Sequence, residues 1–253
     1  MPKIWKSKST SLHPMVEKYT VGNDHKLDKR LLPYDIEASR AHAKALVKIK
    51  VLKPAEFTKL NQGLNEIMKL FKQGKFKIRL EDEDCHTAIE NYLIKKYGPL
   101  GKKIHTGRSR NDQVLVATRL YSRKKLKQIS AEMVKLEKVF LDMAKKYEYM
   151  PLPGYTHTRR AMPSSIGHWA AAYLEDLIND HKLLVSAYEL NDQNPLGAAA
   201  GFGVNFNLDR KLTTKLMGFQ KTQINSLYAV NSRGKTESYI LAVCTQIMMI
   251  LGR

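Results

Sequence analysis

Apolar residues recur along this chain at spacings of three and four rather than two, and this pattern predicts helices almost from end to end. Between positions 33 and 51 the residues Ile36, Ala43, Leu46 and Val47 keep helical spacing. Pro54 opens a second helix, with Phe57, Leu60, Leu64, Ile67 and Phe71 on its apolar face and Gly74 as its stop. The stretch EDEDCHTAIENYLIKKYG places acidic residues at a helix start, an apolar stripe at Ile89, Leu93 and Ile94, and Gly98 at the C-cap. Strand-like alternation is almost absent. These elements predict a small helical domain over residues 1–111.

The scale then changes. Beyond Asn111 the apolar positions Ile129, Met133, Leu136, Phe140, Met143 and Tyr147 alternate steps of four and three, the seam of a bundle helix, and no proline intervenes before Pro151. A helix over 112–147 is roughly 54 Å long at 1.5 Å per residue. A second rod is predicted after Pro163, capped by Ser164 or Ser165, with Ile166, Trp169, Tyr173, Leu177, His181, Leu184 and Tyr188 on one stripe. It stops before Pro195. A third begins near Thr236 and carries Ile240, Val243, Ile247 and Leu251. The expected fold is therefore all-α, with a long-helix bundle domain over 112–253 that is incomplete at its C-terminal end. Exposed seams at Ile129, Leu136, Phe140, Leu177 and Leu184 predict association with other copies or with a further segment.

Dense polar stretches flank the long helices: HTGRSRNDQ before the first, PGYTHTRRAMPSS before the second and NPLGAAAGFG after it. HTGRSRNDQ reads in one way as a capped loop, with Ser109 or Asn111 as cap and Gly107 as the turn. That reading leaves Arg108 and Arg110 unexplained. Their planar forks suit carboxylates, and a helix start adds N–H donors and a positive dipole end. His157, flanked by hydroxyl and guanidinium groups, has the right company for proton transfer near an anion, although a lone histidine is more often a surface or core residue. His86, one turn after Asp82, reads either as a site residue or as half of a local hydrogen-bonded pair.

Composition narrows the classes. Lys+Arg number 43 against 24 Asp+Glu, a formal charge of +19, which favours acidic partners without choosing among them. Much of the excess is lysine scattered along helices, as on an ordinary solvated surface. Nothing resembles a DNA- or RNA-binding module, so no nucleic-acid partner is expected. Cys85 and Cys244 lie far apart with no zinc-type histidine spacing, which points to a reducing compartment and no disulfide frame. The N-terminus lacks the apolar core of a secretory signal, and the run YILAVCTQIMMIL is too short to span a bilayer. The reading is a cytoplasmic protein with no membrane partner.

GKKIHTGRSRNDQV, PGYTHTRRAMPSS, NPLGAAAGFG and VGNDHKLDKRLLPYDIEASRAHAKAL together resemble argininosuccinate lyase, of the fumarase and aspartase superfamily, over nearly the whole chain. The resemblance implies β-elimination of argininosuccinate to arginine and fumarate, without metal or organic cofactor, by a homotetramer that brings three motifs together from three subunits. It implies that Ser109, Arg110 and Asn111 hold the substrate, that Thr156 binds a carboxylate, that His157 assists proton transfer and that His86 lies near the site. Two positions depart from the family pattern: Asp24 stands where many members have serine, and Arg159 where they have glutamine, and both fall where the family contacts substrate. The family's flexible loop with its catalytic serine lies beyond the end of this chain. The expectation is thus an N-terminal portion, inactive alone, whose base comes from a complementing C-terminal chain or from a segment this chain lacks, with a noncatalytic relative of the δ-crystallin kind as the alternative.

Overall fold

The computed structural model describes residues 13–252. Two compact units divide them, one built from residues up to 121 together with 192–233, the other from 122–191 together with 234 onward. The sequence boundary between 111 and 112 therefore differs from the compact division. The first three turns of the long helix and the segment that follows the second rod both pack in the first unit.

In the first unit two short helices, α1 (Pro14–Val21) and α2 (Asp24–Leu27), lead into α3 (Leu32–Lys48) and α4 (Pro54–Lys72). α5 (Cys85–Tyr97) starts where Asp84 accepts the Thr87 N–H at 2.6 Å, and α6 (Pro99–Lys102) follows it. The predicted stripes meet in one core, in which Leu32, Ile36, Leu46, Leu60, Leu64 and Leu93 are fully buried. Burial of each such side chain contributes about 1.5–3 kcal/mol. A second cluster joins Ala38 and Ala41 of α3 to Val116 and Leu120, and to Leu196, Met217 and Phe219 from the returning segment. That segment holds α9 (Arg210–Leu216), α10 (Ser226–Asn231) and a two-residue parallel pair, β3 (Gln193–Asn194) with β4 (Lys221–Thr222).

α7 runs without a break from Arg110 to Lys146, so the predicted rod is present at 37 residues. In the second unit it is followed by α8 (Ile166–Asn191), where Ser165 Oγ accepts the His168 N–H, and by α11 (Lys235–Leu251). The expected exposed seam is corrected here. Leu177 and Leu184 are buried with Leu126, Met133, Val243 and Ile250, and Ile129, Leu136 and Phe140 pack against them, so the three helices cover their own seams. The large apolar side chains left in solvent lie on other faces, among them Val134, Val139, Ile178, Val185, Leu241 and Met248.

A second difference concerns PGYTHTRRAMPSS, read from sequence as a polar connector. It is an antiparallel hairpin, β1 (Pro151–Thr156) paired with β2 (Arg159–Ser165). A ribbon of two strands is all edge, so Pro151, Pro153 and Pro163 are tolerated in it. The register slips between Pro153 and Tyr155, at Gly154, where a Cβ would sit 2.6 Å from the Met162 carbonyl oxygen. Glycine is required there.

Candidate active site

The stretch HTGRSRNDQ is held from beneath before any ligand is considered. His42 Nε2 lies 2.8 Å from the Thr106 carbonyl oxygen and, as a neutral ring, donates to it. Burial and the nearby Arg108 charge depress the His42 pKa to about 3, which keeps that ring neutral. Arg108 is itself buried and donates to Ser39 Oγ at 2.9 Å, and Ser39 in turn bonds Asp35. Arg110 donates to Gln113 Oε1 and to Thr87 Oγ1, both at 3.0 Å, and its Nε lies 3.3 Å from Asp84. Gln113 then donates to both Asp35 oxygens.

Asp35 is thus the hub of the layer below the helix start. His86 Nδ1 lies 2.9 Å from its second oxygen, and both side chains are buried. Burial alone would raise the Asp35 carboxyl. The His86 and Arg108 charges and the Gln113 amide more than reverse this and hold it down at about 2. His86 therefore pairs with Asp35 rather than with Asp82, whose side chain serves Arg79 N–H and the Asn91 amide. Sequence reasoning missed Asp35. Its signal was a charged residue on the same stripe as Leu32, Ile36 and Ser39, the buried face of α3.

The helix start itself also differs from the expectation of free backbone donors. Ser109 is the cap, accepting the Asn111 N–H at 3.3 Å and the Asn111 amide at 3.2 Å. Asp112 reaches back to the Ser109 N–H at 3.0 Å, the reciprocal half of a capping box. Two of the helix-start N–H groups are consumed in this way. What the arrangement offers an anion is a set of side-chain donors. Ser109 Oγ already accepts two bonds, so its own hydrogen is directed elsewhere. Asn111 keeps a second amide hydrogen, and each terminal nitrogen of Arg110 keeps one N–H beyond those engaged. Ser109, Arg110 and Asn111 are half-buried, so these donors are reachable.

The remaining predicted residues are placed differently. Asp24 is exposed on α2. Thr156, His157 and Arg159 belong to the second unit, where Thr156 and Arg159 face each other across the hairpin and all three are exposed. His157 and Thr158 form its two-residue turn with φ of 49° and 64°, the left-handed region at both central positions. This is the type I′ arrangement that normally selects asparagine and glycine, and for β-branched Thr158 it is strained. Thr158 Oγ1 donates to the His157 carbonyl oxygen at 2.6 Å.

Donor atoms of Asp28, Cys85 and His86 lie within 4.8 Å of one another. Asp28 is engaged by the Cys85 N–H and His86 by Asp35, while burial and the surrounding carboxylates push the Cys85 thiol well up. These groups serve hydrogen bonds in the packed layer.

A family profile described as "Lyase" matches residues 9–253. The chain belongs to this lyase family. It is 46% identical over 251 residues to an argininosuccinate lyase of Thermotoga neapolitana, covering 99% of this chain and 63% of that protein. It is 41% identical over 251 residues to one from Sorangium cellulosum, covering 58% of it, and 42% identical over 234 residues to one from Xanthomonas oryzae, covering 54%. The chain therefore spans a little over half of the length of these curated relatives. Among solved structures, a variant of EDDS lyase with bound fumarate matches with a TM-score of 0.74 at 26% identity, covering 88% of this chain and 44% of the other. A fumarate lyase:delta crystallin from Brucella melitensis bound to cobalt matches at 0.73 and 16% identity over 88% and 55%, a likeness of fold alone. The all-α fold of the fumarate lyases is thereby established for this chain, with the hairpin as its one substantial strand element among the described residues.

Proposed function

We propose that this chain acts in the β-elimination of argininosuccinate to arginine and fumarate. The observation that carries the reading is the donor set at the start of α7. Ser109 hydroxyl, Asn111 amide and Arg110 guanidinium stand on one half-buried turn, each with a donor hydrogen left over from its bonds within the protein. Identity of 41–46% to proteins named argininosuccinate lyase supports the same substrate.

The chemical difficulty of the reaction is the proton on the carbon next to a carboxylate. Removing it builds negative charge on a group already anionic, and fixed donors lower the cost because they need no rearrangement as that charge appears. In this reading Ser109, Arg110 and Asn111 hold carboxylate and amino-acid ends of the substrate, with His86 beneath them orienting the layer through Asp35. Thr156 binds a second carboxylate, and His157 assists proton transfer as the C–N bond breaks and the double bond of fumarate forms. Arg159, cross-strand from Thr156, adds a cation beside that carboxylate, and Asp24 contacts the amino-acid end. No cofactor is part of the scheme. The reading also includes a cytoplasmic homotetramer, supported by the apolar side chains that the second unit leaves in solvent. No helix among the described residues is long and apolar enough to cross a membrane.

The test is to add argininosuccinate to the purified protein mixed with the C-terminal region of the Thermotoga neapolitana relative, and to follow fumarate by its absorbance. Turnover together with saturable fumarate binding is expected. A mixture that neither turns over nor binds fumarate would remove the reading and favour a noncatalytic relative.

A further inference from the structure

The third polar stretch, NPLGAAAGFG, has no role in the scheme above, yet its backbone is tied to the helix start through one carboxylate. Asp112 is fully buried. One of its oxygens accepts the Ser109 N–H, and the other accepts the N–H groups of Gly197 and Ala199, both at 2.9 Å and 85 and 87 residues along the chain. The loop wraps the oxygen in a backbone conformation that it would not choose freely. Gly197 has φ of +89°, and Ala199 carries a side chain at φ of 50°. Successive N–H groups folded around an anion in this way form a nest, and here the anion is the chain's own. Arg108 and Arg210 are the charged groups that face the carboxylate, and Arg210 also bonds the Leu196 carbonyl at the base of the loop.

Each Asp112 oxygen therefore serves a different segment. The first holds the turn that presents Ser109, Arg110 and Asn111, and the second holds the loop over 197–203. Displacing the carboxylate to serve one side better lengthens the bonds on the other. We propose that Asp112 is a positioning residue that makes the helix start and the 197–203 loop a single unit, so that an anion held at Ser109, Arg110 and Asn111 orders the loop as well. The proposal rests on the anion-binding reading of those three residues. It assigns NPLGAAAGFG a place in substrate binding that its own side chains, mostly alanine and glycine, do not supply.

Asp112→Asn separates the two functions. Asparagine has one acceptor oxygen where the carboxylate has two, and its NH2 must point at either the Ser109 N–H or the loop N–H pair. The experiment is amide hydrogen exchange read by mass spectrometry, with and without fumarate, on the parent protein and on Asp112→Asn, each mixed with the same C-terminal region as above, beside a fumarate titration of each mixture. In the parent, fumarate slows exchange in both 108–113 and 197–203. In Asp112→Asn, affinity falls on the order of tenfold and the loop no longer responds to fumarate. A purely structural role would lower the melting temperature of the variant while leaving a loop response in whatever protein remains folded. Fumarate binding by the parent with exchange in 197–203 unchanged overturns the inference by itself, and this arm does not depend on the variant folding. Asp112→Asn binding as tightly as the parent overturns it too. A parent that binds no fumarate overturns the reading of the site and this inference with it.

Discussion

The start of α7 and the tip of the β1–β2 hairpin carry the two most chemically dense stretches of the chain, and they are built on opposite plans. At the helix start most polar groups are bonded to others from the same unit, through Asp35, Ser39, Thr87, Asp112 and Gln113, and the layer beneath is buried. At the hairpin tip Thr156, His157, Arg159 and Arg160 all stand in solvent, and the turn is held in a left-handed conformation by the strand pairing behind it. The first region is preorganised by a network of side chains and the second by strand pairing with one local side-chain bond from Thr158. The expected response to mutation differs accordingly: stability and binding are coupled at the helix start and separable at the tip.

The strongest test of that contrast is Asp35→Ala. It leaves His86, Gln113 and Ser39 buried without their shared acceptor and the Arg108 charge without its neighbouring carboxylate, and removing one partner of such a network costs about 3–5 kcal/mol. Chemical denaturation should show the midpoint collapse, and fumarate binding should fail with it. His157→Gln is the opposite case. The melting temperature stays within a degree or so of the parent, while turnover in the complemented mixture falls by about 10²-fold or more, the scale of a lost acid–base group. A stability loss at His157 comparable to that at Asp35 would erase the distinction.

Arg110→Ala falls between them. It removes bonds to Thr87 and Gln113 and the pairing with Asp84 at a half-buried position, so a modest drop in melting temperature accompanies a loss of turnover of about 10²-fold, or roughly 3 kcal/mol of preorganised contact. Turnover within about threefold of the parent, roughly 0.6 kcal/mol, would reduce the stretch to a capped loop.

The pH response sharpens the comparison further. His42 has its pKa depressed to about 3 when folded, against 6.5 for the free side chain, so the unfolded chain binds the proton first. The stabilisation is fully present above about pH 6.5 and is lost as pH falls toward 3, at about 1.4 kcal/mol per pH unit for one such group. His105, depressed to about 4 by burial and the two arginines, adds a loss of the same sign over a narrower window. Urea titrations between pH 7 and 5 should show this slope, and His42→Asn should reduce it to the His105 contribution. Thr158→Gly is the smallest effect expected. Relief of the left-handed strain stabilises the second unit by about 1 kcal/mol, with His157 kept in place. Destabilisation on that substitution would mean that the Thr158 hydroxyl bond outweighs the strain.

The helices were legible because their apolar periodicity is long and unbroken, and α7 was found to within two residues at its start. The hairpin was not. Proline at 151, 153 and 163 removes the alternation that marks a strand, and the turn residues His157 and Thr158 are not those that signal a tight hairpin. The three-helix seam was read correctly as apolar but assigned to outside partners, because sequence spacing shows which positions need cover without showing that α7, α8 and α11 cover one another. At the site, Ser109, Arg110 and Asn111 stood out by their chemistry. That Asp35 and Asp112 absorb so much of the local donor capacity depends on contacts 78 and 85 residues apart, which no local pattern reports.

The discontinuous make-up of the first unit carries a consequence for how the chain acquires its structure during synthesis. The core formed by Leu32, Ile36, Leu60, Leu64 and Leu93 comes from one contiguous stretch, and it can condense as soon as that stretch has left the ribosome. The second cluster cannot, since Ala38, Val116 and Leu120 wait for Leu196, Met217 and Phe219. During that interval the Asp112 carboxylate has only the nearby Ser109 N–H among its backbone partners. Closing the remaining contacts spans the entire α7–hairpin–α8 excursion, an entropic cost that grows only slowly with the length of the loop. Until residues 192–233 dock, the buried Asp112 carboxylate therefore lacks the two N–H donors of Gly197 and Ala199.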